Sequence, residues 1–346
     1  MNNQQSHVFI AMSGGVDSSV CALLLQQQGF QISGITMQVS KEMPVNPDAE
    51  KICSLLGIPH HLLDVSGDFS ELVISNLKKE YALGRTPNPC IVCNRHIKFG
   101  LLLETAKKMG ADFIATGHYA GIQKTSHGYT IARGSDNLKD QSYFLYGIPS
   151  CHLPFIKFPL AGMEKKEVRR LAEENHLPVF NSSDSQGICF LANSDYKSFL
   201  AAETEKPFNP GPVKLVSGEI IGRHKGIHCY TIGQRKGLGI GWKEPLYVEK
   251  IDTESNTVFV APAGSRGSDE ISFTVMNLFF PEKYISGLNG ISMKYRHVCR
   301  ELEVRECFFS GKICRVVLKN PAVHIPAGQS AVLYNKNFVL GGGIII

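Results

Sequence analysis

No stretch of this 346-residue sequence approaches the roughly 18 consecutive apolar residues of a membrane helix. The first apolar stretch, Val8 to Met12, is short and follows Met1-Asn2-Asn3-Gln4-Gln5, which is not the pattern of a signal peptide. The reading is a cytoplasmic protein. There is no internal repeat and no low-complexity tract. The phosphate-binding string Gly-Lys-Ser/Thr is missing, as is G-x-G-x-x-G, so neither a Walker A loop nor a dinucleotide fold is expected. Only one C-x-x-C occurs, Cys90 to Cys93. A structural zinc site normally needs four ligands, so zinc is disfavoured.

What is present is an ordinary soluble composition, 43% hydrophobic and 19% charged, in a chain long enough for two or three domains. The ten cysteines read as free thiols of a reducing compartment. Cys21, Cys53, Cys299, Cys307 and Cys314 sit among apolar or ordinary helix and strand residues and read as small buried hydrophobes; Cys151 and Cys229 get the same reading. The net charge of +5 is uneven. Residues 205–346 carry 18 Lys and Arg against 12 Asp and Glu, whereas residues 1–204 carry 18 against 19. A basic carboxy-terminal half suits a polyanionic partner.

Strand and helix patterns alternate over the first two hundred residues. His7–Met12, Gln31–Val39, His60–Val65 and Ala111–Thr116 read as short buried strands. Val16–Gln28, Asp48–Leu56, Phe69–Leu83 and Ile97–Met109 read as helices, closed by Gly29, Gly57, Gly84 and Gly110. Lys165–Asn175 adds an amphipathic helix to the same layer. This alternation predicts a parallel sheet of βαβ units. From about Pro207 the texture becomes antiparallel β, with strands at Leu246–Ile251, Thr257–Ala261, Ile291–Arg296 and Arg315–Leu318. Two small β modules joined near Pro262–Ser272 are expected, giving divisions at 1–204, 205–265 and 266–346.

The first strand runs into Ser13-Gly14-Gly15-Val16-Asp17-Ser18-Ser19, and a helix follows at once. Paired glycines let the backbone approach a ligand, and the helix start offers N–H groups to a phosphate. Ser13, Ser18 and Ser19 add hydroxyls, and Asp17 is a candidate magnesium ligand. A glycine-rich turn without a ligand has the same spacing. The string SGGVDS, however, resembles the PP-loop of the ATP pyrophosphatases, which cleave ATP between the α and β phosphates.

Later strings narrow the resemblance. Gly84-Arg85-Thr86-Pro87-Asn88-Pro89 with Cys93-Asn94 and Ile97-Lys98-Phe99 resembles the bacterial tRNA-uridine 2-sulfurtransferases (2-thiouridylases). So do Ala115-Thr116-Gly117-His118-Tyr119, Lys139-Asp140-Gln141-Ser142-Tyr143-Phe144 and Asp184-Ser185-Gln186-Gly187-Ile188-Cys189-Phe190. The run Tyr230 to Gly239, YTIGQRKGLG, and the closing Leu340-Gly341-Gly342-Gly343-Ile344 match as well. In order, they cover nearly the whole chain.

The resemblance implies an α/β PP-loop domain, of the adenine nucleotide alpha hydrolase-like kind, followed by two mainly-β modules. It implies replacement of O2 of the tRNA wobble uridine by sulfur, with ATP, Mg2+, tRNA and a persulfide donor (a sulfur-carrier protein or cysteine desulfurase). By the same resemblance Cys93 is the nucleophile and Cys189 the persulfide carrier, and the pair ends as a disulfide. The nucleotide site falls on Ala11, Met12, Ser13, Gly14, Gly15, Val16, Asp17 and Ser18, with Met37 near the adenine and Gly117 lining the pocket. RNA contacts fall on Asn88, Pro89 and Cys90 at the target base, and on His118, Lys139, Asp140, Gln141, Tyr295, Arg296 and Gln329. The loop 85–94 is expected to wall the pocket of a base drawn out of its stack. Met37 and His118 taken alone read as ordinary core residues.

Two departures stand out. Many members carry Asp where this chain has Cys90. Asp is ionised at neutral pH, but a free Cys with a pKa near 8.5 is only about 3% thiolate. Either a persulfide relay operates, or Cys90, Cys93 and Cys189 form a three-thiolate site for an iron–sulfur cluster. The second departure is the short connection from Gln38 to Asp48. Two other readings stay open: a PP-loop ligase or thiolase acting on a small molecule, and a tRNA-binding protein without catalysis.

Overall fold

The computed structural model describes residues 5–182, 187, 189–191, 196–203, 209–262 and 267–346. Asp184, Ser185, Gln186 and Ile188 of the Cys189 motif therefore lie outside the described residues, as do the divisions expected at 204/205 and 265/266.

The four predicted strands are joined by a fifth that the sequence pattern did not mark, Ile156–Lys157, in one parallel sheet of order His60–Asp64, Gln31–Gln38, His7–Ala11, Phe113–Ala115, Ile156–Lys157. Chain order turns back on itself between His7–Ala11 and Phe113–Ala115. In sheets of this kind, ligands bind beyond the carboxyl ends of the strands at that switch point. The phosphate loop follows one of these strands and Thr116-Gly117 the other.

Helices Val16–Gln27, Asp48–Leu55 and Lys165–Glu174 cover the sheet where the apolar periodicity put them. The four glycines expected past helix ends all have left-handed φ, between +66° and +88°. The helix expected at Phe69–Leu83 begins earlier, at Ser66, and has a π-helical turn over Ser70–Ile74 before continuing to Ala82.

The loop expected at 85–94 is a loop only as far as Asn88. A helix starts at Pro89 because Pro suits the first helical position and the Asn88 side chain accepts the N–H of Cys90 at 3.2 Å. This cysteine helix continues as a π-helix over Asn94–Leu101 and as an α-helix over Leu102–Lys108. Both cysteines of the C-x-x-C thus lie in its first turns.

The basic half contains a four-stranded module, Gly211–Leu215, Ile220–His224, Leu246–Asp252 and Thr257–Pro262, around its own apolar core. Beyond it, six strands from Ser268–Leu278 to Phe338–Ile345 close into a barrel, the first pairing with the last. The LGGG string lies on that closing seam. A Cβ on Gly342 or Gly343 would collide with the carbonyl oxygen of Ala331 or Thr274. Glycine is needed there for close approach rather than for flexibility.

One feature has no counterpart in the sequence reading. The hairpin Ala120–Thr125/Gly128–Arg133, within the amino-terminal region, adds to the barrel sheet through Ala132 and Phe338. One hydrophobic core then runs from Phe9, Ile91 and Phe99 to Phe273, Val316 and Leu333. The parallel-sheet half and the barrel are joined by burial, not by a bare linker. Among the described residues no helix is long and apolar enough to cross a membrane.

Candidate functional site

At the phosphate loop, Ser13, Ser18 and Ser19 hold the turn. The Ser18 and Ser19 hydroxyls donate to the Gly15 carbonyl at 3.0 and 2.8 Å, and the Ser13 N–H donates to Ser18 Oγ at 3.3 Å. Gly14 has φ +74°, and a Cβ there would run into the Asn46 side chain. Asn46 Nδ2 donates to the Ser13 carbonyl at 3.3 Å. The short 38–48 connection therefore reaches over the phosphate loop. Ala11, Met12 and Val16 form the buried or half-buried floor, and half-buried Met37 lies between two apolar clusters. Gly117 presses on the first turn of the next helix: a Cβ would stand 2.8 Å from the Asp17 carbonyl carbon and 3.0 Å from the Ser18 nitrogen.

Asp17 is engaged on both oxygens. Lys165 Nζ donates to them at 2.7 and 2.8 Å, and the Tyr119 hydroxyl donates to Oδ1 at 2.7 Å. The carboxylate expected to hold magnesium is here neutralised by a lysine only 9% exposed. Among the described residues no three His, Cys, Asp or Glu side chains converge there as metal ligands. Lys165, Tyr119 and Asn46 escaped the sequence reading. Lys165 did leave a signal: a lysine opens a helix whose positive dipole end disfavours it, which implies an outside partner.

The cysteine helix buries Cys93 among Phe69, Leu77, Ile97 and Phe190, at 6% exposure. Phe190 adjoins Cys189, and its ring meets Phe69 edge-on at 5.2 Å. Cys189 itself is exposed, Cys90 half-buried. Burial pushes the Cys93 thiol up to about 12, with Cys189 and Cys90 adding to the rise and the Lys98 ammonium opposing it. Cys90 is raised as well, by burial first, against the pull of Lys98. Its place in the first helical turn, which favours thiolate, does not offset burial. Cys90 is therefore no substitute for an ionised Asp.

Among the described residues no three His, Cys, Asp or Glu side chains converge as metal ligands. Cys93 is sunk in apolar side chains, while Cys189 is exposed. None of the ten cysteines is in a disulfide. The reading of the remaining seven as buried holds for Cys21, Cys53, Cys307 and Cys314. It is corrected for Cys151, which is exposed, and for Cys229 and Cys299, which are half-buried.

His118 connects the two ends of the site. It follows Gly117, its Nδ1 shares a 2.6 Å hydrogen bond with Thr116, and Phe99 and Phe158 flank its ring at 5.8 Å. Burial, then the positive charge of Lys98, holds its pKa well below the usual value. Lys98 thus acts on His118 and on both cysteines. The histidine is neutral when folded but binds a proton below about pH 6.5 when unfolded, so its contribution to stability is present above that pH and lost as pH falls. Replacing His118 by Gln should reduce the fall in melting temperature between pH 7.5 and 5.5, measured by calorimetry. An unchanged fall would contradict a buried neutral imidazole.

Several of the expected RNA contacts are engaged within the protein. Asp140, 5% exposed, accepts the N–H groups of Gly134 and Ser142 and the Ser142 hydroxyl at 2.9–3.1 Å. Gln141 Oε1 accepts the Tyr119 N–H at 2.9 Å, and the Lys139 N–H donates to the Asp136 carbonyl at 3.0 Å. Arg296 Nη2 donates to the Ile232 carbonyl at 2.9 Å, beside half-buried Tyr295. Gln329 Nε2 donates to the Thr86 carbonyl at 2.7 Å, while the Thr86 hydroxyl meets Thr231 at 3.3 Å. The barrel and the YTIGQ string thereby clamp the loop leading to Asn88, buried Pro89 and the cysteine helix.

Comparison with known proteins places this arrangement. Residues 6–193 match the model of the tRNA methyl transferase HUP domain, 197–262 the tRNA methyl transferase PRC-barrel domain, and 272–345 the aminomethyltransferase beta-barrel domain. The chain is 43% identical to the tRNA-specific 2-thiouridylase MnmA of Trichlorobacter lovleyi, over 98% of this chain and 97% of that one. It is 39% identical to the tRNA-specific 2-thiouridylase MnmA of Dehalococcoides mccartyi, over 100% and 98%. Among solved structures, the U34-tRNA thiolase NcsA from Methanococcus maripaludis with its [4Fe-4S] cluster aligns with a TM-score of 0.35 and 22% identity, over 58% of this chain and 66% of that one. That likeness is too distant to bear on the chemistry here. Full-length identity near 40%, over a parallel sheet, a small β module and a barrel in that order, makes the chain a member of the tRNA-specific 2-thiouridylase family.

Proposed function

We propose that this protein replaces O2 of the tRNA wobble uridine by sulfur at the expense of ATP. One observation carries the reading: packing links the loop after the first strand to the cysteine helix. Gly117 packs on Asp17, His118 follows it, and the His118 ring lies 5.8 Å from that of Phe99 on the helix that carries Cys90 and Cys93. A nucleotide at the loop and a base near the cysteines would then lie in one cleft.

In this reading the uridine O2 attacks the α-phosphate of ATP and pyrophosphate leaves, so a poor leaving group becomes AMP. A persulfide on Cys189, loaded by a sulfur-carrier protein or cysteine desulfurase, supplies sulfane sulfur. Either its terminal sulfur adds to C2 and expels AMP, after which Cys93 attacks Cys189 Sγ and releases the thiouridine. Or Cys93 attacks first and the freed hydrosulfide adds to C2. Both routes leave a Cys93–Cys189 disulfide, which a dithiol reductant returns to two thiols. Phosphate-loop amides and serines bind the nucleotide, and the apolar wall around Cys93 keeps water from the activated base.

The test is pyrophosphate release with bulk tRNA, paired with mass-spectrometric detection of 2-thiouridine. Release that depends on tRNA and yields 2-thiouridine is expected. Release without tRNA would favour a small-molecule ligase, and tight tRNA binding without turnover an inactive binder.

A further inference from the structure

The peptide between Met12 and Ser13 joins the first strand, His7–Ala11, to the phosphate loop. Both of its polar groups are bonded to side chains. The Thr36 hydroxyl donates to the Met12 carbonyl at 2.9 Å, and the Ser13 N–H donates to Ser18 Oγ at 3.3 Å. The Met12 N–H also donates to the Ile35 carbonyl at 2.9 Å. The chain is thus held to the neighbouring strand, Gln31–Gln38, one residue beyond the end of its own.

A third residue fixes Thr36. His60 Nε2 lies 2.8 Å from Thr36 Oγ1. A threonine hydroxyl has one proton to give, and Met12 receives it, so His60 is the donor and carries its proton on Nε2. Burial holds the His60 pKa below its usual value, with Glu50 opposing and His61 adding to the fall, which suits a neutral ring. The neighbouring glycine makes the reach possible. Thr36 and Gly34 share a face of their strand, and His60 stands opposite Gly34 on the next one. A Cβ on Gly34 would collide with Cys53 Sγ and stand 3.0 Å from Met12 Cγ and 3.5 Å from His60 Cδ2. Without it the imidazole can lean along the sheet to Thr36.

Thr36 is only 5% exposed, so these bonds are made away from water. A hydroxyl in a buried strand position costs stability unless it is fully used, and here it serves as acceptor and donor at once. Its bond falls on the carbonyl where the chain leaves the sheet for the phosphate loop. The direction of that peptide is passed on through Ser13 to Ser18, in the first turn of the helix Val16–Gln27. Met37, the residue expected near the adenine, lies on the opposite face of the same strand and takes no part in these bonds.

We infer that Thr36, held in place by His60, is a positioning residue for the phosphates of the nucleotide: it fixes the Met12–Ser13 peptide and so aims the phosphate loop. This rests on the proposed use of ATP at that loop. The test is calorimetric titration of the full chain with α,β-methylene-ATP, inorganic pyrophosphate and adenosine. Thr36→Val keeps the side-chain shape but leaves the Met12 carbonyl and the His60 N–H without their partner. It should weaken the analogue and pyrophosphate by about tenfold or more, with adenosine affinity changed by less than about twofold. Thr36→Ser, which retains the hydroxyl, should restore most of the loss. His60→Leu keeps the Thr36 bond to Met12 and should weaken pyrophosphate by about threefold; it also tests the inference if the valine variant does not fold. Wild-type pyrophosphate affinity in Thr36→Val, or in His60→Leu, would overturn the inference. So would equal losses for pyrophosphate and adenosine, which a general loosening of the sheet would give. If wild type bound neither the analogue nor pyrophosphate, the proposed use of ATP would fall first.

Discussion

Cys93→Ala and Cys189→Ser should each lower 2-thiouridine formation by at least about a thousandfold, as removal of a nucleophile does. Both should leave the fold standing. Cys189 is exposed, so its change should stay within about 0.5 kcal/mol. Loss of the Cys93 sulfur from its apolar cluster should cost about 1 kcal/mol, as other small core truncations do. The two thiols should also differ in the free protein. With its thiol pushed up to about 12 by burial, Cys93 is almost wholly protonated at pH 7.5. Peptide-resolved alkylation of Cys93 by iodoacetamide should therefore be slow at neutral pH and climb about tenfold per pH unit through pH 10. A plateau near pH 8 to 9 would show an activated thiolate, and the buried-thiol account would fail. Thiouridine from either variant as the sole copy in cells would remove that cysteine from the mechanism.

The second large effect concerns a residue with no reactive group. Gly117→Val should weaken binding of a non-hydrolysable ATP analogue by about a hundredfold in calorimetric titration, since misplacement by about 1 Å at a reacting site can cost that much. Its new Cβ would face the backbone of Asp17 and Ser18 at 2.8–3.0 Å. Those atoms belong to the first turn of a helix, where no side chain can rotate away. The helix start, whose N–H groups are proposed to receive the phosphate, would have to move. Gly162→Ala is the control, because nothing lies within 4 Å of the added Cβ and its φ is not left-handed. Equal affinities for the two variants would show that Gly117 does not set the nucleotide site.

The parallel sheet was legible from the sequence because buried strands and capped helices carry local signals. Continuous apolar runs at His7 and Gln31, and glycines at helix ends, report backbone conformation residue by residue. The hairpin at Ala120–Arg133 was not legible. It pairs with a strand some two hundred residues later, and that partner leaves no mark in its own sequence. The π-helical turns were hidden for a similar reason: tertiary packing, not local propensity, selects them.

For the site, the amino-acid sequence by itself determined the parts: a glycine-serine phosphate loop, a C-x-x-C after a proline turn, and a distant Cys189. The glycine-serine loop and the C-x-x-C follow from residue type and spacing, whereas Cys189 joins them only through the resemblance to the 2-thiouridylases. Only the tertiary structure decided their states. It sank Cys93 and left Cys189 at the surface, raised the Cys90 thiol, and set Lys165 on Asp17. Burial and the partners of a charge arise from segments far apart in the chain, and spacing along the chain does not encode them.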